Sequence, residues 1–147
     1  MLKNNKTKVI YGFIHKGDEE MSDVSKISNS EWEIMKYAWG NVPCTANEIV
    51  EALSKTTDWK ANTIRTLINR LVKKEILCYE IDKKDKKTYY YFPLLSESEC
   101  IKAESESFIR RVFNGSLNGM IANFLSESEL SDKEIEELKN ILEKKKG

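Results

Sequence analysis

Lys60-Ala61-Asn62-Thr63-Ile64-Arg65-Thr66-Leu67-Ile68-Asn69-Arg70-Leu71-Val72-Lys73-Lys74 puts Ile64, Leu67, Ile68 and Leu71 at i, i+3, i+4 and i+7. That is the spacing of one buried helical face. At 100° per residue, Asn62, Arg65, Thr66, Asn69, Arg70 and Lys73 fall within about 140° of each other on the opposite face. A solvated helix face usually carries glutamate, yet no acidic residue occurs from Lys60 to Lys74. The period then changes to that of strands. Ile76 to Ile81 and Thr88 to Phe92 are rich in β-branched and aromatic residues, and Asp82-Lys83-Lys84-Asp85-Lys86-Lys87 between them reads as a polar hairpin tip.

Upstream lie two shorter helices. The first spans about 29–40, gathers Trp32, Ile34, Met35, Ala38 and Trp39, and is stopped by Gly40 and Pro43. The second spans about 46–55 and repeats the i, i+3, i+4, i+7 pattern with Ala46, Ile49, Val50 and Leu53. Ser28-Asn29-Ser30-Glu31 and Thr45-Ala46-Asn47-Glu48 have the capping-box form at these two starts, as do Ser96-Glu97-Ser98-Glu99 and Ser131-Asp132-Lys133-Glu134 further on. In each, hydroxyl and carboxylate satisfy the other residue's orphan amide. Three short helices and then a β-hairpin is the element order of a winged helix-turn-helix.

The remainder reads as helices at 96–113, 117–126 and 132–145, with Asn114-Gly115 breaking the first. Three amphipathic helices in about 50 residues make a poor independent core. They are expected to pair with a second copy through Phe108, Val112, Leu117, Ile121, Phe124, Leu138 and Ile141. The expected class is α+β and mainly helical, with a winged helix over 27–94 and a three-helix dimerisation domain over 95–147. Residues 1–26 form a leading segment. Lys16-Gly17-Asp18-Glu19-Glu20 can be encoded as a ribosome-binding site just before Met21. Met21 is therefore the expected natural start, the alternative being a disordered arm.

Composition narrows the function classes. The net charge is zero, but residues 1–54 carry −2, 55–90 carry +5 and 96–147 carry −3. A basic middle between acidic flanks suits a local contact with a polyanion. No apolar run approaches the roughly 20 residues that span a bilayer, and Val9 to Ile14 is too short for a signal peptide. A cytoplasmic protein without membrane insertion is expected. Cys44, Cys78 and Cys100 have no CxxC spacing and read as small core fillers, so neither metal nor cofactor is expected. No Gly-rich phosphate loop, HExxH, GxSxG or histidine-based triad is present, and the one histidine, His15, lies in the leading segment. The chain is not expected to be an enzyme.

The polar face of the third helix carries the residue types that read a major groove. Arg bonds guanine in bidentate fashion, Asn does so with adenine, and Thr reaches bases or the thymine methyl. Arg65 and Thr66 are the leading base readers, with Asn62, Thr63 and Asn69 in support. Lys60, Arg70, Lys73 and Lys74, and Lys83, Lys84, Lys86 and Lys87 of the wing, are candidate phosphate contacts. Of the tyrosines, alternation sends Tyr90 and Phe92 to one face and Tyr89 and Tyr91 to the other, one set being core.

Ile27-Ser28 with Glu31-Trp32-Glu33-Ile34-Met35, Thr45-Ala46-Asn47-Glu48-Ile49, Thr63-Ile64-Arg65-Thr66-Leu67-Ile68 with Arg70-Leu71 and Lys73-Lys74, and Glu134-Ile135-Glu136-Glu137-Leu138 with Asn140-Ile141-Leu142 together resemble the penicillinase repressors of Gram-positive bacteria (the BlaI/MecI type). The resemblance covers about residues 27–145. It implies a homodimer on a palindromic operator that represses β-lactam resistance genes. It also implies release when a membrane-bound antibiotic-sensing metalloprotease triggers cleavage in the dimerisation domain. In the family that it resembles the cut falls between Asn and Phe, where this chain has Ser107-Phe108. Asn62 stands where lysine is common. A copper-responsive branch carries a C-terminal cysteine cluster, whereas no cysteine follows Cys100 here. Two alternatives are a ligand-sensing winged-helix regulator and a protein-interaction adaptor that never meets DNA. A gel shift separates the adaptor, and β-lactam induction separates the ligand sensor.

Overall fold

The structure is a computed structural model that describes residues 27–147. The leading segment, with His15 and the expected start at Met21, lies outside the described residues. The elements run α1 (Asn29–Gly40), β1 (Cys44–Thr45), α2 (Ala46–Ser54), α3 (Ala61–Lys73), β2 (Leu77–Ile81), β3 (Tyr89–Pro93), α4 (Glu97–Phe113), α5 (Leu117–Glu127) and α6 (Asp132–Lys146). Each of the four capping boxes opens a helix. Ser28 and Glu31 exchange bonds of 3.1 and 2.8 Å at α1, Thr45 and Glu48 bonds of 3.2 and 3.0 Å at α2. Ser96 with Glu99 starts α4, and Ser131 with Glu134 starts α6. Helix α5 has a cap that the sequence reading missed, Ser116, whose hydroxyl accepts from the Gly119 amide at 2.9 Å.

The periodic apolar positions converge as their spacing requires. Ile34, Met35 and Ala38 of α1, Ile49 and Leu53 of α2, and Ile64, Leu67, Ile68 and Leu71 of α3 form one buried cluster with Ile76, Leu77 and Tyr91. The hairpin is joined by a third strand absent from the sequence reading. The sheet order is β1-β3-β2, all antiparallel, with Cys44 opposite Tyr91 and Tyr79 also opposite Tyr91. Two residues are too short to show a period, so β1 exists only through its partner strand. Tyr91 is the core tyrosine; Tyr79 and Tyr89 lie further out on the hairpin, their rings stacked 4.5 Å apart. Helix α3 ends with Glu75 at φ 63°, and the Ile76 amide bonds the Leu71 carbonyl at 3.0 Å. This is a left-handed helix stop made without glycine.

Two compact units divide between Ser105 and Glu106, inside α4, whereas the sequence placed the boundary at 94/95. The first half of α4 belongs to the winged helix because Cys100 is fully buried in its core, with Leu95 and Ala103 packed alongside. Trp39 donates its indole N–H to the Leu95 carbonyl at 2.9 Å. In the second unit Phe108, Phe113 and Phe124 form an aromatic cluster, centroids 5.8 to 6.4 Å apart. Neither α5 nor α6 has a single buried side chain. Among the described residues no helix is long and apolar enough to cross a membrane.

Candidate nucleic-acid interface

Helix α3 is anchored from behind by four buried residues, Ile64, Leu67, Ile68 and Leu71, and presents Asn62, Thr63, Arg65, Thr66, Asn69, Arg70 and Lys73 to solvent. Its wheel puts Asn62, Thr66, Asn69 and Lys73 at the centre of the exposed face, with Arg65 and Arg70 at the two margins. The Thr66 hydroxyl donates to the Asn62 carbonyl at 2.9 Å. That oxygen therefore keeps only acceptor capacity, and its neighbouring methyl is available to an apolar contact. Lys60 precedes the helix and is exposed.

Arg65 does not stand free on that face. Its Nη2 donates to Oδ1 of Asn47, in the first turn of α2. Arg65 and Asn47 line a cleft of about 360 Å³ with Thr45, Ala46, Lys87, Thr88, Tyr89 and Tyr91. The cleft thus lies between the start of α2, the reading helix and the base of the wing. The sequence reading gives Asn47 no role beyond its place in the stretch Thr45-Ala46-Asn47-Glu48. Its only signal was its place two residues after Thr45, which points its side chain out of the helix start. Tyr91 has its pKa raised by burial and by Tyr89 and Tyr79, with Arg65 opposing, so its hydroxyl stays neutral.

The wing tip is organised by two aspartates. Asp82 accepts the Lys84 amide at 2.7 Å. Asp85 accepts the amides of Lys87 at 2.8 Å and Thr88 at 2.9 Å, and the Thr88 hydroxyl as well. These bonds hold the Asp85 carboxyl below its ordinary pKa, the Thr88 hydroxyl contributing most. Lys83, Lys84, Lys86 and Lys87 all project into solvent.

Lys74 is placed differently from the other candidate cations. Its ammonium meets Oε1 of Glu31 at 2.6 Å, and Glu31 is 1% exposed. The same carboxylate oxygen caps α1, so Lys74 ties α3 to the start of α1. Removing Lys74 would leave a buried carboxylate without its ionic partner.

Cys44 and Cys100 are buried, and burial, helped by Glu48 and Glu99 respectively, pushes each thiol up to about 11. Among the described residues no group of His, Cys, Asp and Glu could hold a metal ion. Ser107 and Phe108 fall within α4; Ser107 accepts a bond of 2.8 Å from Arg111, and Phe108 belongs to the aromatic cluster.

Comparison with known proteins places this architecture. The family model described as "Penicillinase repressor" matches residues 27–144. A penicillinase repressor of Bacillus licheniformis is 40% identical over 127 residues, covering 86% of this chain and 97% of that protein. The methicillin resistance regulatory protein MecI of Staphylococcus aureus (strain N315) is 42% identical over 120 residues, covering 82% of this chain and 95% of that one. The solution structure of Bacillus licheniformis BlaI, monomeric form in complex with the blaP half-operator, aligns at 36% identity and a TM-score of 0.44. That alignment covers 50% of this chain and 85% of the chain in that structure.

Proposed function

Because this chain belongs to the penicillinase repressor family, we propose that it is a non-enzymatic, dimeric repressor of β-lactam resistance genes that binds operator DNA in the cytoplasm. The observation that carries this reading is the exposed face of α3, free of acidic residues and backed by four buried apolar ones. Asn62, Thr66 and Asn69 sit where a helix lying in the major groove meets base edges, with Thr63 beside them. Asn can bond adenine through two atoms, and the Thr66 methyl suits a thymine methyl. Lys60, Arg70, Lys73 and the wing lysines surround this face as phosphate contacts that add affinity without sequence information.

A gel shift on the gene's own promoter tests the reading. The full chain should form a specific complex, and Asn69→Ala should lose about 1–3 kcal/mol at one operator position. Replacing Lys83, Lys84, Lys86 and Lys87 together with Gln should weaken all sequences alike and flatten the salt dependence. Promoter binding no stronger than binding to unrelated DNA would overturn it.

Release follows from cleavage at Ser107-Phe108 by a membrane-bound sensor protease. A cut there separates the winged helix from α5 and α6 and removes the avidity of holding two half-sites at once. The bond lies in mid-helix with Phe108 packed on Phe113 and Phe124, so α4 must open locally before a protease can engage it. Mass spectrometry of the repressor from β-lactam-induced cells should find a fragment ending at Ser107. Intact repressor in fully derepressed cells would rule the mechanism out.

A further inference from the structure

We propose that the cleft between α2, α3 and the wing seats one phosphate of the DNA backbone, and that Arg65 grips that phosphate together with Lys87 while Asn47 holds the guanidinium in position. The inference rests on the DNA-binding reading and moves Arg65 from base reading to backbone clamping.

Three observations carry it. Arg65 lies at the margin of the α3 face, on the side where its guanidinium reaches Asn47 of α2 rather than at the centre with Asn62, Thr66 and Asn69. The cleft that Arg65 lines is also lined by Lys87 and Thr88 of the wing, so residues bearing two cations, from different elements, border one space. Third, the bond to Asn47 uses one of five guanidinium N–H donors and leaves the others in a fixed fork, the geometry that suits a phosphate oxygen pair. Asp85 sets the backbone of Lys87 and Thr88 through their amides, so the wing side of the cleft is ordered in advance. The one opposing charge at the start of α2, Glu48, turns its carboxylate to the Thr45 amide at 3.0 Å.

Counterion release provides a direct test, because the salt slope counts phosphates neutralised and not cations present. Each phosphate contributes about 0.9 to the slope of log affinity against log salt. With a promoter duplex and the full chain, Arg65→Gln and Lys87→Gln should each reduce the slope, and the double variant should lose about 0.9 in all rather than about 1.8. Lys83→Gln combined with Arg65→Gln should lose the larger amount. Neutralising single phosphates as methylphosphonates should reveal one position per half-site that weakens wild type but no longer matters in Arg65→Gln or Lys87→Gln. Asn47→Ala should reduce sensitivity at that same position, add little to Arg65→Gln, and leave discrimination between base pairs intact. If Arg65→Gln instead loses discrimination at one base pair and remains sensitive at every phosphate, the seat is wrong although DNA reading stands. Saturation of the DNA-free protein by inorganic phosphate at low concentration, abolished by Lys87→Gln, would assign the cleft to a soluble anion and overturn its assignment to DNA. No promoter-specific complex at all would overturn both readings.

Discussion

Glu31 couples two jobs through one carboxylate. It closes the capping box of α1 and receives Lys74 from the end of α3. Burial alone would raise its pKa, but the Lys74 hydrogen bond, the Ser28 amide and the Lys74 charge together hold it below the ordinary 4.5. The unfolded chain therefore takes up this proton at higher pH than the folded one. The stabilisation is complete above the ordinary value and is lost as pH falls from there through the folded value. Glu31→Gln should cost roughly 1–3 kcal/mol at neutral pH and flatten this part of the acid-unfolding profile, as read by urea titrations at several pH values. Glu75 offers the opposite case. A residue with a Cβ at φ 63° carries a penalty of about 1–2 kcal/mol that glycine avoids, against the larger backbone entropy glycine loses. Glu75→Gly should raise stability by about 0.5–1 kcal/mol and increase the melting temperature; a lower melting temperature would mean that the Glu75 side chain does more than occupy the turn.

Among the elements, α4 has the most consequence, because its two halves serve different units. Cys100 fills the winged-helix core, and Trp39 is bonded to Leu95 just before the helix. A fragment ending after Ser105 should unfold cooperatively, whereas one ending after Leu95 leaves the Cys100 site open. The shorter fragment should be less stable by about 1–3 kcal/mol, the worth of one filled apolar site and its neighbours. Equal denaturation midpoints for the two fragments would show that the first half of α4 contributes nothing to that core. Both should remain monomeric and bind a half-site weakly.

At the scale of the molecule, the second unit leaves large apolar side chains exposed. Val112, Leu117, Phe124, Leu138 and Ile141 are between 39% and 63% exposed, and α5 and α6 bury no side chain. Exposed apolar side chains on amphipathic helices suit the dimer proposed above, and a two-fold dimer would match a palindromic operator. Replacing Leu117 and Ile141 together with Asp should yield a monomer by sedimentation at micromolar concentration, with the winged helix still folded by circular dichroism. A wild-type chain that sediments as a monomer at that concentration would contradict the dimer.

What the sequence determined by itself was whatever depends on near neighbours along the chain. The four capping boxes need only residues three apart, and the faces of α1, α2 and α3 need only residues up to seven apart, so the boxes were legible as far as Glu134 and the faces as far as Leu71. The Lys-rich wing and the acid-free face of α3 were legible for the same reason, as runs of residue type. The tertiary structure alone decided contacts between residues distant in sequence: strand β1 beside Tyr91, Cys100 in a core formed mostly of residues before 92, Lys74 on Glu31, and Arg65 on Asn47. Such pairs cost loop-closure entropy and form only once the core has brought their elements together, so no local pattern records them. The same physics explains why Lys74 and Arg65 read as equivalent surface cations in the sequence. Only their partners across the fold distinguish an internal tie from the wall of a cleft.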